Sequence, residues 1–148
     1  IGVSVRRHDS KTRPRSTTGS AFVKVRICKT FDFDAAHHLN QLPQDHKCHR
    51  MHGHTYCVDI ILEGEVHPTR LMFIDYADIA RAWAPLHDAL DHRCLNDVAG
   101  LGHPTTEALA EWILRKLCAD SEVGPFLVAV RVHESSSTWC EARTVDLP

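Results

Sequence analysis

From Phe22 to Phe33 apolar and polar residues alternate. Val23, Val25, Ile27, Phe31 and Phe33 fall on one side of an extended chain, which predicts a strand. The polar stretch from Asp34 to about Arg50 reads as a loop. In HGHTYCVDIILEGEV the period of two resumes, with His52, His54, Tyr56, Val58, Ile60 and Leu62 on one face of a second strand. Gly64 and the HPTR turn end it. Between Asp75 and Leu90 the period lengthens, and Ile79, Trp83, Leu86 and Leu90 recur at helical spacing. Pro85 is expected to bend or interrupt that helix, because it lacks an N–H and crowds the preceding turn. DHRCLNDVAGLGHP is a loop. TTEALAEWILRKLC is a second helix, with Thr105 as N-cap and Glu107 in the first turn, where the helix dipole favours an acid. PFLVAVRVHES is a third strand, on which Phe126, Val128, Val130 and Val132 share a face that Glu134 continues. TWCEARTV pairs with it through the short SSS link. The order β, β, α, α, β, β predicts an α+β fold: an antiparallel four-stranded sheet with two helices on one face.

Length and composition narrow the class. At 148 residues, 43% hydrophobic and 24% charged, the chain makes one domain with a true core. A net charge of −2 shows no bias toward nucleic acid or membranes. No run approaches the roughly 18 apolar residues of a membrane span. Residues 1–20, rich in Ser, Thr, Arg and Lys, read as a flexible basic tail ahead of a domain over 21–148. Five basic residues against Asp9 give the tail +4, so the remainder carries −6. No apolar segment marks a secretory signal. The six cysteines are scattered, so reduced thiols in a cytoplasm are expected.

Histidine is the outlier: there are twelve, six of them between His37 and His54. Two residues apart on a strand, His52 and His54 project from the same face. Neutral imidazole is the commonest metal ligand, and a catalytic zinc site takes three protein ligands and keeps one position open. AAHHL offers His37 or His38 as the third. Cys48 lies beside His46, Lys47 and His49, a basic setting that favours the reactive thiolate. The alternative is a closed structural zinc site with a cysteine as fourth ligand. Cys57, three past His54, faces the other side of the strand and argues against it. Asp91 and His92 are adjacent and can orient one another as an acid–base pair. Glu134, a carboxylate in register with core residues, needs a partner if buried. The two parallel N–H groups of a pterin or guanine edge would suit it.

Taken together, FDAAHHL, HKCHRMHGH, LDHRCLND, HPTTEALAEWI and VRVHES resemble, in order, the 6-pyruvoyltetrahydropterin synthase / 6-carboxytetrahydropterin synthase family. The resemblance implies Zn2+ on His37, His52 and His54. It makes Cys48 the catalytic thiolate with Asp91 and His92 as its partners, and Glu134 the pterin anchor, helped by Thr105 and Thr106. His38 receives no role. Only three residues separate Cys48 from His52, the spacing of the bacterial carboxy-forming enzymes of the queuosine and 7-deazapurine pathway. The animal pyruvoyl-forming enzymes are about two residues longer there. The implied reaction converts 7,8-dihydroneopterin triphosphate to 6-carboxy-5,6,7,8-tetrahydropterin. The alternatives are the pyruvoyl-forming synthase and a non-catalytic pterin- or purine-binding module. The implied fold is the tunnelling fold, assembled as a homohexamer (a dimer of trimers) with active sites between subunits. The implied partner is a small-molecule pterin, with no nucleic acid and no membrane.

Overall fold

A computed structural model describes residues 22–148, and the basic tail expected over 1–20 lies outside them. Strands β1 (Lys24–His37) and β2 (His52–Glu65) form a long antiparallel pair. Helix α1 (Tyr76–Leu90), a two-residue strand β3 (Arg93–Cys94) and helix α2 (Thr106–Cys118) follow. Strands β4 (Leu127–His133) and β5 (Trp139–Arg143) complete the chain. The sheet runs β3-β1-β2-β4-β5, antiparallel except where β3 lies parallel to β1 at Ala35 and Ala36. The α+β class holds, with five strands rather than four. The added strand falls inside the expected loop, and two residues are too few to leave a periodic trace. Among the described residues, no helix is long and apolar enough to cross a membrane.

Both helices pack on the sheet face that carries Phe33, Tyr56, Val58, Ile60, Leu62, Val130 and Val132, all buried. Against them lie Ile79, Trp83, Leu86 and Leu90 of α1 and Leu109, Ile113, Leu114 and Leu117 of α2. Each such side chain stabilises the fold by roughly 1.5–3 kcal/mol relative to exposure. Asp75 caps α1 by accepting the Ala77 N–H at 2.8 Å, and Thr105 caps α2 by accepting the Ala108 N–H at 3.3 Å.

Three expectations are corrected. Strand β1 does not stop at Phe33 but runs four residues further, to His37. Its alternation continues through buried Ala35 and His37, while Asp34 points to the opposite face. Pro85 does not interrupt α1. Residue 85 is exposed, and so is Arg81, whose carbonyl loses its helical donor on the exposed side of the helix, where a missing bond costs least. On β4 a register shift against β2 between Ile61 and Leu62 breaks the alternation. Leu127 is therefore the buried residue there, and Val128 faces a cavity on the other side of the sheet with Arg26, Asp59 and Arg131.

The β1–β2 connection, residues 38–51, is pinned at both ends. The amide of Asn96 donates to the His38 carbonyl at 2.8 Å and accepts the His38 N–H at 2.9 Å. It continues the β3–β1 ladder with a side chain. Leu39 N–H donates to the Cys48 carbonyl at 2.8 Å, closing the loop on itself.

Candidate metal centre and acid–base groups

In the β1–β2 ladder His37 pairs with His52 and Ala35 with His54, so three imidazoles meet at the end of the core face. Gly53 stands between the two β2 histidines because the strands are close there: a Cβ would lie 3.0 Å from the Ala35 carbonyl oxygen. The ring centres are 4.4 Å (His37–His52), 5.1 Å (His52–His54) and 5.2 Å (His37–His54) apart. One nitrogen from each ring lies within 4.8 Å of the other two.

The outer bonds of the rings set their tautomers. His37 Nδ1 is 2.8 Å from the Pro104 carbonyl, and His52 Nδ1 is 2.8 Å from the Arg50 carbonyl. A carbonyl only accepts, so each Nδ1 carries the proton and each Nε2 keeps its lone pair, the arrangement of a metal-ligating histidine. Burial lowers the pKa of His37, which keeps the ring neutral. His54 Nε2 is buried without an aligned hydrogen-bond partner. The Glu134 Oε1 atom stands 3.2 Å from it and 3.7 Å from His37 Nε2. Two imidazole lone pairs turned inward, an orphaned buried nitrogen and an adjacent carboxylate fit a divalent cation.

Cys48 sits in a single 3-10 turn, Lys47–His49, that His46 caps by accepting the Cys48 N–H on Nδ1 at 3.1 Å. A cavity of about 260 Å³ is lined by Lys47, Cys48, His52, His54 and Glu134. The structure thus brings together the expected thiol, carboxylate and two of the three metal histidines, with His37 beneath them. Cys57 faces the other side of the sheet, and burial together with neighbouring Asp32 pushes its thiol up to about 11. It is a protonated thiol, not a fourth ligand.

The remaining expected residues lie elsewhere. Asp91 caps the end of α1, and its Oδ2 accepts from His92 Nδ1 at 2.8 Å. The Asp34 N–H donates to Asp91 Oδ1 at 3.0 Å. That bond and the His92 contact hold the Asp91 carboxyl below the usual range, and Asp91 in turn raises His92. His92 has a left-handed backbone, φ 54°, uncommon for a residue with a side chain. His92 opens on a different cavity, whose wall shares only His54 with that of Cys48. Thr105 and Thr106 start α2 and line neither cavity. Thr105 Oγ is engaged in the helix cap. Lys47, read in the sequence as part of the basic setting of Cys48, lies in the Cys48 cavity. One contributor escaped the sequence reading: Asn96 anchors the loop, and a lone Asn in a polar stretch gives no signal.

Residues 26–145 match the family described as 6-pyruvoyl tetrahydropterin synthase. The 6-carboxy-5,6,7,8-tetrahydropterin synthase of Synechocystis is 38% identical, over 76% of this chain and 88% of the relative. The dihydroneopterin monophosphate aldolase of Pyrococcus furiosus is 32% identical, over 64% of this chain and 76% of the relative. The structure of 6-pyruvoyl tetrahydropterin synthase from Caenorhabditis elegans superposes with a TM-score of 0.75 at 26% identity, covering 82% of this chain and 96% of that one. With a matched segment that runs from β1 to past β5 and takes in every residue of the histidine cluster, the chain belongs to the 6-pyruvoyl tetrahydropterin synthase family.

Proposed function

We infer that the protein is a zinc-dependent 6-carboxy-5,6,7,8-tetrahydropterin synthase acting on 7,8-dihydroneopterin triphosphate, a carbon–carbon lyase of queuosine or 7-deazapurine formation in the cytoplasm. The observation that carries the reading is the single cavity in which Cys48 and Glu134 face two of the three convergent histidines. The 38% identical synthase and the short interval between Cys48 and His52 support the carboxy-forming outcome.

In this reading His37, His52 and His54 hold Zn2+, which supplies Lewis-acid polarisation of the substrate side chain. Glu134 accepts the N–H edge of the pterin and fixes its orientation, with Thr105 and Thr106 completing that recognition. Cys48, as thiolate, takes a proton from the substrate side chain. His92, held by Asp91, returns or accepts protons. Cys48 and His92 open on separate cavities within one chain. The reading therefore requires assembly: in a homohexamer built as two trimers, one subunit's Asp91 and His92 serve the thiol of its neighbour.

A second reading is favoured by the 32% identical aldolase, whose name specifies a monophosphate substrate. Mass spectrometry of products formed from dihydroneopterin triphosphate and monophosphate decides between them. Carboxytetrahydropterin from the triphosphate is expected. Release of a free pterin from the monophosphate alone refutes the synthase. Zinc analysis of the same preparation should give about one ion per chain, lost in His52→Ala and in His54→Ala. Full retention in both variants removes the ligand assignment.

A further inference from the structure

We propose that Asp34 is a positioning residue for the Asp91–His92 pair, its backbone fixing the geometry of the pair and its carboxylate standing as a second acid at the cavity that His92 lines. The inference deepens the reading of His92 as a proton carrier and rests on it.

Asp34 touches the pair twice through its backbone, and its carboxylate lines the same cavity as His92. Its N–H donates to Asp91 Oδ1 at 3.0 Å, and its carbonyl accepts the His92 N–H at 2.7 Å. These two bonds hold both ends of the Asp91–His92 step, including the left-handed turn at His92. Its carboxylate points to the sheet face opposite the histidine cluster, where Thr55 donates to Oδ1 at 2.5 Å. That face and His92 share one cavity of about 620 Å³. The Thr55 hydroxyl holds the Asp34 carboxylate in place as an acceptor rather than leaving it a swinging surface acid. A second carboxylate across the cavity favours imidazolium at His92, and its charge adds to that of Asp91 in raising the ring's pKa.

The other groups facing His92 are accounted for. His87, one turn back on α1, approaches Asp91 Oδ2 at 4.0 Å and competes for the same oxygen. Arg93 and Cys94 of β3 and His54 of β2 line the cavity. Arg93, adjacent in sequence and exposed, opposes imidazolium. Asp34 is the acid on the cavity wall, Asp91 caps α1 behind His92, and the carboxylate of Asp34 is the one not engaged by His92.

The test is a histidine NMR titration of full-length Asp34→Asn, with the His92 resonance assigned by its loss in His92→Gln. Asn keeps the backbone bonds and the size. The His92 midpoint should move to lower pH, and the pH profile of kcat should move with it. At neutral pH kcat should fall by about 1.5- to 5-fold, the range of one exposed charge pair, with KM changed less than about twofold. Thr55→Val should shift the midpoint in the same direction, and Thr55→Ser should restore it. An unmoved midpoint in folded Asp34→Asn and Thr55→Val overturns the proposal. The titration needs no substrate. A wild-type enzyme with no pterin turnover but a normal midpoint shift refutes the function and leaves the coupling standing.

Discussion

Replacing Glu134 with Gln separates the two jobs its position allows. The side chain ends one residue beyond β4, and its backbone N–H is already tied to the Thr138 carbonyl at 3.1 Å, so Gln preserves the hairpin. The carboxylate is 30% exposed and faces the cavity that holds Cys48. As a pterin anchor it accepts hydrogen bonds that are charge-assisted and partly desolvated. Losing the charge, while keeping one acceptor and adding a misplaced donor, should cost roughly 1.5–3 kcal/mol. That corresponds to a dissociation constant raised about 10- to 150-fold. The assay is fluorescence titration of a non-hydrolysable dihydropterin into the zinc-loaded enzyme, with zinc measured on the same sample. Anchoring predicts weak pterin binding with full zinc. The carboxylate also lies 3.2 Å from His54 Nε2, so a ligand role predicts zinc loss instead. A pterin affinity within twofold of wild type, with zinc retained, refutes the reasoning on both counts.

Cys48→Ala should keep zinc, fold and pterin binding while turnover falls about 10²–10⁴-fold, the usual worth of a positioned base; zinc leaving with the thiol shows it to be a ligand. Asn96→Ala removes both bonds to the His38 backbone and should destabilise the protein by about 1–3 kcal/mol in urea unfolding, since each net bond contributes roughly 0.5–1.5 kcal/mol. Acid should weaken the metal-free protein through His37. Its pKa is depressed by burial, so the unfolded chain binds the proton first, and stability present above the ordinary value of 6.5 is lost as pH falls below it. Urea midpoints at pH 7.5 and pH 5.5 check this, and His37→Asn should flatten the difference.

Much of the fold was legible because burial imposes its period directly. Phe31, Phe33, Tyr56, Val58, Ile60, Val130 and Val132 announce their strands, and Trp83 and Leu86 their helix. The same rule, carried two steps beyond Phe33 to Ala35 and His37, would have extended β1. Asp34 hid it, because an acid between small residues reads as loop until its outward direction is known. Strand β3 was not legible: its two residues pair with Ala35 and Ala36 only because α1 ends beside them. The bulge at Ile61–Leu62 was equally hidden, since it reflects how β2 and β4 fit rather than either sequence alone. In the site, residues close along one strand were easy to gather. Glu134 reaches the histidines because β4 lies next to β2, a neighbourhood that the local pattern does not carry.

All three histidines sit on strands, while Cys48 sits on the connection between them. The fourteen-residue β1–β2 ladder fixes which face each imidazole takes, and a one-residue slip would turn His52 and His54 away together. Hydrogen bonding that folds the protein therefore also sets the ligand positions before any ion arrives, and metal uptake has little backbone left to order. The loop answers to different constraints, held at its root by Asn96 and closed on itself by the Leu39–Cys48 backbone bond. In the proposed synthase the sheet would hold the ion and the loop would supply the base. Changes of length or residue within 40–51 would then move the thiol while the three imidazoles stay where the sheet has put them.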